Sequence, residues 1–346
     1  MTRYRIALIE GDGIGPEVTR AALSILEALE AEFGLSLEIR PALAGDSCLQ
    51  KGGVALPEES ISVIRRSDSC LKAPVGESAA DVVVRLRRDF DLYANIRPAK
   101  GLPGVRSLAP GADLVIVREN TEDLYKGMEF EIDGGAVALR LITRRASERI
   151  AERAFGLAES RKKGRKVVAV HKANVLRKSD GVFASACRKV WRGHPGVNFS
   201  EMYVDAAAMA LIRSPESFDV IVTTNLFGDI LSDEAAQLVG GIGLAPSANL
   251  GDKFALFEPV HGSAPDIANR GIANPIAMLL SVSMMLEWLG ESRRDPVCGK
   301  AASSLRTAVN AALERGVSTP DLGGKNKSAE VAAYIARQIH DGRKKG

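Results

Sequence analysis

The chain has 346 residues, of which 46% are hydrophobic and 26% charged. This balance is typical of a globular protein and excludes a disordered, collagen-like or coiled-coil chain. Lys and Arg number 46 against 43 Asp and Glu, and aromatic residues make up only 5%. Because the net charge of +3 is small and the aromatic residues are scattered, a nucleic-acid-binding function is excluded.

The cysteines and the apolar runs indicate in which cellular compartment the protein is expected. Cysteines 48, 70, 187 and 298 lie far apart, so CxxC pairs are absent and a reducing cytoplasm is expected. The apolar run Ile6–Ile9 is too short for the core of a signal peptide. The longer run Ile276–Leu286 is interrupted by serines and falls short of the ~20 residues of a membrane span. We therefore expect a cytoplasmic protein without a membrane segment.

Short β-rich runs alternate with longer helical patterns along the chain. The first strand is followed by a helix over Pro16–Glu32, because proline suits a first helical turn. Strands that alternate with helices predict an α/β fold with a largely parallel sheet. The predicted strands are Tyr4–Ile9, Leu37–Pro41, Asp113–Val117, Lys166–His171 and Phe218–Thr224.

The glycine-rich turn before the first helix has the sequence Gly11-Asp12-Gly13-Ile14-Gly15-Pro16-Glu17. It lacks the GxGxxG pattern of a Rossmann site, because Pro16 stands where the last glycine is needed, and the chain has no Walker A sequence. The turn is either a tight structural turn or a ligand loop of another kind.

Two turn-rich stretches, Arg97–Pro110 and Gly240–Asp252, are candidates for the points where the chain leaves one lobe and returns to it. They predict a discontinuous first lobe, 1–98 plus 241–346, and a second lobe over 99–240. The length is consistent with two domains.

Asp229 and Asp233 are four residues apart, which places both carboxylates on one face of a helix. Like charges at that spacing repel each other unless a cation lies between them, and carboxylate oxygens suit Mg²⁺ or Mn²⁺. The alternative is an acidic first helical turn favoured by the helix dipole. Asp205, within an otherwise apolar segment, is a third candidate ligand, or else a cap or surface residue.

Arg87, Arg97 and Arg118 lie in or beside apolar runs. Because a guanidinium binds carboxylates through two hydrogen bonds, three that converge would suit a di- or tricarboxylate. Separate surface ion pairs are the alternative. Lys172 follows a β-rich run, and a lysine beside a metal acquires the lowered pKa that a general base requires. Tyr125 is a second candidate for proton transfer.

Five segments in this order resemble the β-decarboxylating dehydrogenases, the family of 3-isopropylmalate, isocitrate, homoisocitrate and tartrate dehydrogenases. The resemblance runs nearly end to end. The five segments are residues 11–17, Ala94-Asn95-Ile96-Arg97-Pro98-Ala99-Lys100, His171-Lys172-Ala173-Asn174-Val175, Asn225–Asp233 and Glu258–Asp266.

The resemblance implies a two-lobed α/β homodimer, either alone or as half of a tetramer, with the dimer interface on the second lobe and a nucleotide site that is not a Rossmann fold. Arg87, Arg97 and Arg118 would bind the carboxylates of a 2-hydroxy di- or tricarboxylate. Asp229 and Asp233 would bind Mg²⁺ or Mn²⁺. From the partner subunit, Asp205 would complete the metal and substrate site and Lys172 would take the proton of the 2-hydroxyl, while Tyr125 would protonate the enol after decarboxylation.

The segment His261–Asn274 resembles the family's adenosine loop. Asp266 stands where a carboxylate accepts hydrogen bonds from the ribose hydroxyls, and NADP-dependent members have Lys followed by Tyr at Asp266 and Ile267. The resemblance therefore implies NAD as the cofactor. The residues expected to bind it are Asn174, Glu258, His261, Gly262, Ser263, Ala264, Asp266, Ile267 and Asn274.

Two signals disagree about the substrate. Ala80, Val83 and Val84, with Val175 of the partner subunit, would form an apolar wall that suits an isopropyl group, where isocitrate-specific members have a Ser and Asn pair. The run Asn120-Thr121-Glu122 instead resembles the isocitrate and homoisocitrate type.

The charged residues next to this apolar wall also disagree about the substrate. Asp81 disfavours an additional substrate carboxylate, whereas Arg85 and Arg88 would attract one. We expect NAD-dependent oxidative decarboxylation of 3-isopropylmalate, with homoisocitrate, isocitrate or dual specificity as the alternative. A non-catalytic regulatory subunit of the same family is less favoured, because the residues implied to carry catalysis are all present.

Overall fold

A ten-stranded sheet runs through the part of the chain that the computed structural model describes, residues 3–161 and 163–341. Its order is β2-β1-β3-β12-β11-β4-β5-β10-β8-β9, and β6 pairs with β7 in a separate hairpin. The strands are β1 (Arg3–Ile9), β2 (Ser36–Pro41), β3 (Ser69–Lys72), β4 (Ala94–Lys100), β5 (Asp113–Glu119), β6 (Glu129–Ile132), β7 (Gly135–Ala138), β8 (Lys166–His171), β9 (Asn198–Tyr203), β10 (Val220–Thr223), β11 (Pro246–Leu250) and β12 (Ala255–Pro259).

Strand pairing is parallel at both ends of the large sheet and antiparallel where β12, β11, β4 and β5 meet. The predicted α/β fold with a largely parallel sheet is therefore confirmed. The helices are α1 (Gly15–Phe33), α2 (Asp46–Gly52), α3 (Glu58–Arg65), α4 (Asp81–Asp89), α5 (Arg144–Arg161), α6 (Ser179–Trp191), α7 (Val204–Arg213), α8 (Asn225–Leu238), α9 (Ile276–Arg293), α10 (Pro296–Glu314) and α11 (Ser328–Asp341).

Helix α1 shows how local sequence sets the element boundaries. Pro16 occupies the first turn, where its missing N–H costs nothing, and Gly34 ends the helix with a left-handed φ of 66°. Both ends lie within one residue of the predicted helix.

The sheet packs against helices on both faces. One face, with side chains such as Leu71, Ile96 and Val117, packs against α1, α5, α6 and α9–α11. The opposite face packs against α3 and α4 at one end and against α7 and α8 at the other. Because side chains alternate along a strand, residues next to those core positions point toward the gap between α4 and α8.

The two segments predicted to be turn-rich connections contain strands. β4 extends to Lys100, and β11 lies beside it with Ala248 opposite Ile96. Their prolines suit these positions, because Pro246 is the first residue of β11 and Pro98 lies beyond the last residue of β4 that pairs with β11. The division into lobes at these segments stays a prediction. Within residues 3–161 and 163–341, no helix is long and apolar enough to span a bilayer.

Candidate active site

A cleft of about 910 Å³ lies between α4 and α8, within the size range of small-molecule sites. Its floor is formed by side chains of the strands that alternate away from the large core. One wall is α4, the other is α8 with the turn that carries Tyr125, and the loop after β12 closes one end. Lining residues include Lys72, Ala80, Val83, Val84, Arg87, Arg97, Arg118, Tyr125, Asp229, Glu258, His261 and Gly262.

The predicted arginines converge in this cleft. Arg97, on β4, donates from Nε to Asn95 Oδ1 (2.6 Å) and from Nη1 to Ser232 Oγ (2.7 Å) and Asp233 Oδ1 (3.0 Å). Its Nη2 lies 3.3 Å from Asp229 Oδ1. Separate surface ion pairs are thereby ruled out for Arg97, because its side chain is largely buried between strand and helix.

Arg118, on the neighbouring strand β5, is almost completely buried, at 1% exposure. It donates from Nε to Asn225 Oδ1 (2.9 Å) and from Nη1 to Asp229, whereas the buried Nη2 has no hydrogen-bond partner among the residues that the structure describes. A buried donor without a partner costs free energy unless a ligand satisfies it. This atom therefore fits an anionic ligand in the cleft.

Arg87 lies on α4 and donates from Nε to Asn249 Oδ1 (3.0 Å), with Nη2 3.6 Å from Glu258. Burial lowers the pKa of Arg87. Burial, followed by repulsion from Arg87 and Arg97, lowers the pKa of Arg118 to about 9. Three guanidiniums held this close in a poorly solvated site favour the binding of negative charge.

Asp229 joins the arginines to Tyr125, whose hydroxyl donates to Asp229 Oδ2. Burial would raise the pKa of Asp229, but Arg118 and Arg97 lower it overall, so the carboxylate is ionised. Burial and then the hydrogen bond to Asp229 raise the pKa of Tyr125, so the phenol keeps its proton at neutral pH. The guanidinium of Arg118 lies 5.0 Å from the centre of the Tyr125 ring.

Asp229 and Asp233 lie on successive turns of α8, as the spacing predicts. Burial raises the pKa of Asp233, and a neighbouring cation would favour its ionised form. Two carboxylates on one helix face supply oxygen donors that fit Mg²⁺ or Mn²⁺. Among residues 3–161 and 163–341, no three His, Cys, Asp or Glu side chains come together as a metal site. Asp205 is therefore not brought to this pair within one chain.

Lys172 and Asp205 form an ion pair of their own, outside the cleft lining. Their side chains are 25% and 61% exposed, and the hydrogen bond from Lys172 lowers the pKa of Asp205. Asn174 and Val175 follow in the same exposed turn, with Val175 at 66% exposure. The predicted site residues thus fall into two groups within one chain.

A buried network under the cleft was not predicted from the sequence, apart from Glu258. Lys72 Nζ donates to Glu258 Oε2 (2.8 Å), and Asn249 Nδ2 donates to Glu258 Oε1 (2.9 Å). Although burial raises it, the charges of Lys72 and Arg87 lower the pKa of Glu258 to about 2. Lys72 directly follows the apolar residues of β3, and Asn249 interrupts a buried strand. Isolated polar residues in such strands are the signal that would have identified them.

The glycine-rich turn packs directly against the loop after β12. Ile14 N–H donates to Ser263 O (2.8 Å), and a Cβ at Gly13, whose φ is 58°, would lie 2.0 Å from the same oxygen. Glycine is therefore required for this approach. His261 lines the cleft, and its buried Nε2 has no hydrogen-bond partner in the described part of the chain, so a ligand that supplies one would fit there.

The remaining predicted nucleotide residues differ in exposure. Asp266 and Ile267 lie in a short helical turn, with Asp266 exposed at the surface. Asn274 is buried and already bonded, since its Nδ2 donates to Asp321 Oδ2 (2.9 Å) and its Oδ1 accepts from Ile276 N (3.0 Å). Its polar atoms therefore position the start of α9.

The specificity wall lies on and just before α4. Ala80, Val83 and Val84 line the cleft, as does Asp81. Arg85 also lines it but is bonded elsewhere, to Glu58, Asp89 (3.3 Å) and the carbonyl of Leu56 (3.3 Å). Arg88 is 71% exposed. The apolar part of this wall is therefore formed by Ala80, Val83 and Val84, beside charged side chains of the same helix.

The run Asn120-Thr121-Glu122 does not line the cleft. Asn120 Nδ2 donates to Leu92 O (3.0 Å) and Asn249 Oδ1 (2.9 Å), and Glu122 accepts from Thr143 N (2.7 Å). Thr121 bonds to Glu119. These side chains hold neighbouring segments together, so their resemblance to isocitrate-type members does not describe the substrate pocket.

The chain is similar to known proteins over nearly its whole length. The family model described as isocitrate/isopropylmalate dehydrogenase matches residues 5–336. A 3-isopropylmalate dehydrogenase of Methanothermobacter thermautotrophicus is 54% identical over 342 residues, 99% of this chain and 100% of that protein. An isocitrate/homoisocitrate dehydrogenase of Thermus thermophilus is 50% identical over 327 residues, 93% of this chain and 94% of that protein. The crystal structure of isocitrate dehydrogenase from Methylococcus capsulatus has a TM-score of 0.90 at 41% identity, covering 97% of this chain and 99% of that chain.

Proposed function

Because the chain belongs to the isocitrate/isopropylmalate dehydrogenase family, we propose that it catalyses the NAD-dependent oxidative decarboxylation of 3-isopropylmalate to 2-oxo-4-methylpentanoate, in leucine biosynthesis. The observation that carries this proposal is a single cleft in which three arginines lie beside the apolar wall of Ala80, Val83 and Val84. The Methanothermobacter relative is named a 3-isopropylmalate dehydrogenase, which supports the same substrate. A cytoplasmic location remains part of the proposal.

The cleft supports 3-isopropylmalate through charge and shape together. Arg87, Arg97 and Arg118 suit the two carboxylates of a malate, and the free Nη2 of Arg118 supplies a donor. Burial of an isopropyl group against Val83 and Val84 contributes about 1.5–3 kcal/mol. An unpaired carboxylate on the same wall would cost more than that.

The donor groups suit a divalent cation and NAD. We assign Mg²⁺ or Mn²⁺ to Asp229 and Asp233, with Asp205 of the partner subunit as a third carboxylate. When bound, the cation would supply a positive charge that favours ionisation of the substrate's 2-hydroxyl. NAD, when bound, would supply the hydride acceptor. Residues 261–267 and the glycine-rich turn are assigned to the nucleotide.

The chain's own side chains carry the proton transfers. Lys172 of the partner subunit takes the proton of the 2-hydroxyl as the hydride leaves C2, which gives a β-keto acid. Loss of CO₂ from C3 then leaves an enolate, and Tyr125 delivers the proton to C3. The arginines hold both carboxylates during these steps. The products are the 2-keto acid, CO₂ and NADH.

The proposed site requires two copies of the chain. Lys172 and Asp205 lie outside the cleft of their own chain, in an exposed region. The neighbouring helices α7 and α8 expose Met209, Ile212 and Ile230 at 59–68%. Large apolar side chains on one surface are typical of a subunit interface. We propose a homodimer with shared sites, and pairing of dimers into tetramers stays a prediction.

Homoisocitrate or isocitrate is the second candidate, since the Thermus relative carries that name at 50% identity and the exposed Arg88, although it pairs with Asp89 at 3.6 Å, lines the cleft. The engagement of Arg85 by Glu58 and Asp89 reduces the positive charge available for such a substrate. The apolar wall therefore makes 3-isopropylmalate the favoured substrate.

The test is the initial rate of NAD reduction with Mg²⁺ on 3-isopropylmalate, homoisocitrate, isocitrate, malate and tartrate at matched concentrations. We expect the highest kcat/KM with 3-isopropylmalate, and NAD preferred over NADP because the carboxylate of Asp266 repels a 2′-phosphate. Faster turnover of homoisocitrate or isocitrate would replace the proposed substrate. Failure to turn over any of the five acids would indicate a non-catalytic subunit.

A further inference from the structure

Arg140 lies between β7 and α5 and joins two fully buried carboxylates. Its Nε and Nη2 donate to the Asp123 oxygens at 2.6 and 3.2 Å, and its Nη1 donates to Asp180. Both aspartates have 0% exposure. The sequence analysis assigned no role to any of these residues.

Asp123 holds the segments that carry Tyr125 and α8. Its Oδ1 accepts from Leu124 N (2.9 Å), immediately before Tyr125, and its Oδ2 accepts from Leu226 N (3.1 Å), in the first turn of α8. Asp123 has a φ of 69°, which is unusual for a residue other than glycine. Arg140 also donates from Nη2 to Thr224 Oγ1 (2.8 Å), just before α8.

Asp180 holds the segment that carries the other proton-transfer group. Its Oδ2 accepts from the backbone N–H of Lys172 at 2.6 Å. Asp180 lies in the first turn of α6, and its own N–H donates to Leu176 O (3.0 Å), which closes the turn that follows Lys172. The backbone of Lys172 is thus tied to Arg140 through one carboxylate.

We propose that Arg140 is a positioning residue that sets the backbone at Tyr125, at the start of α8 and at Lys172 together. This inference rests on the proposed function for the roles of Tyr125 and Lys172. Because Lys172 is proposed to serve the partner's site and Tyr125 its own, one guanidinium supports two active sites. Removing it leaves two buried carboxylates without their shared cation, so both segments lose their fixed geometry.

Arg161, the last residue of α5, offers a matched control. It donates from Nε to Asp219 (2.8 Å) and from Nη2 to Asp113 (2.8 Å). Asp219 in turn accepts from Gly164 N (3.2 Å) and Lys166 N (3.4 Å). Arg161 is therefore also an arginine that joins two carboxylates and holds backbone, but within the described residues its two carboxylates accept no hydrogen bond from the backbone of Leu124, Lys172 or Leu226.

The experiment compares Arg140→Met, Arg140→Lys and Arg161→Met in the full-length protein. Backbone hydrogen exchange is measured by mass spectrometry on peptides that contain Leu124, Lys172, Leu226 and Lys166. We expect exchange to rise at least about tenfold at the first three in Arg140→Met, and only at Lys166 in Arg161→Met. This readout requires no substrate, so it is independent of the proposed function.

Kinetics supply the second readout. For the folded fraction of Arg140→Met, kcat is expected to fall about 10²-fold, with a smaller change in KM, because small displacements of reacting groups have effects of that size. Arg140→Lys should recover part of the rate, since it keeps the charge but cannot join both carboxylates equally well. Arg161→Met should keep kcat within about twofold.

Equal exchange at Leu124, Lys172 and Leu226 in the two methionine variants would overturn the proposal. So would an equal loss of kcat, which would show that Arg140 serves stability alone. If the wild type oxidises none of the acids tested, the proposed function fails, and the exchange result still decides whether Arg140 holds these segments.

Discussion

The cleft and the Lys172–Asp205 region differ in how completely one chain builds them. In the cleft, Arg118 is 1% exposed and already bonded to residues of α8, whereas the side chain of Asp205 is 61% exposed. The cleft is built on central strands, and the other region on a turn after β8 and the start of α7. One chain therefore preorganises the proposed substrate site, whereas Lys172, the proposed proton-transfer residue, lies outside it, where the proposed dimer would use it.

The difference has an energetic consequence. Buried charges must be paired and hydrogen-bonded, so changes in the cleft affect folding and function together. An exposed ion pair contributes little to stability, so the other region can change with little loss of folding. Substitutions in the cleft should therefore lower stability and activity together, whereas substitutions at Lys172 or Asp205 should change stability little.

The largest effect is expected for Lys172→Ala. Without the general base, kcat should fall by about 10²–10⁴-fold, while the dimer and NAD binding persist. Turnover with 3-isopropylmalate measures kcat, and calorimetry measures the affinity for NAD. Lys189→Ala is the control, because Lys189 forms a comparable exposed pair with Glu148 at 2.8 Å. A Lys172→Ala protein with near-normal rates would remove the general-base assignment.

Arg118→Lys tests the buried region. Lysine keeps the charge but loses the fork that bonds Asn225 and Asp229 and leaves Nη2 for the substrate. We expect kcat/KM for the acid to fall about 10²-fold, together with a lower melting temperature. Arg188→Lys, at an exposed arginine that pairs with Glu201, should change neither. An unchanged KM and melting temperature for Arg118→Lys would show that the cleft does not act as a preorganised carboxylate site.

Glu258 predicts a pH dependence of stability for the buried region. Burial raises its pKa, but Lys72 and Arg87 lower it overall to about 2, below the ordinary glutamate value of about 4.3. The ionised form therefore stabilises the fold above pH ~4.3, and this contribution is lost as the pH falls toward 2, by about 2 kcal/mol at pH ~3.

Urea unfolding of the wild type and Glu258→Gln between pH ~3 and pH ~6 measures this contribution as a difference between two curves, in which other carboxylates cancel. The difference should shrink as the pH falls. A difference that stays constant with pH would mean that Glu258 is not held ionised by Lys72 and Arg87.

The smallest effect concerns specificity. The double variant Val83→Ser, Val84→Asn makes the wall polar, so kcat/KM for 3-isopropylmalate should fall about tenfold. Malate lacks the isopropyl group and serves as the internal control, since its kcat/KM should change little. An equal loss for both substrates would show that these valines support the helix and do not select the alkyl group.

The sequence predicted the parts of the fold that depend on local pattern. β1 and α1 follow from an apolar run, a proline at the first helical turn and a glycine after the last. The spacing of Asp229 and Asp233 predicted a shared helix face because α-helical periodicity is local. The resemblance named Arg87, Arg97, Arg118, Tyr125 and Asp229 in advance, and all of them line the cleft.

Long-range arrangement could not be predicted in the same way. Arg97 and Arg118 share a face only because β4 and β5 pair in one antiparallel register, with Arg118 opposite Asn95. The partners of Arg140 lie 17, 40 and 84 residues away in sequence. The burial of Asn120 is likewise a property of the assembled sheet. This burial shows that the resemblance of residues 120–122 to isocitrate-type members does not concern the substrate pocket.

The division of the active site between two copies is tested most directly by mixing two inactive variants, Lys172→Ala and Tyr125→Phe. After joint refolding or coexpression, half of the dimers are hybrids, and one of their two sites has both Lys172 and Tyr125. The account predicts that the mixture regains about one quarter of wild-type turnover, while each variant alone stays inactive. A mixture as inactive as its components would show that Lys172 and Tyr125 serve the same chain's site.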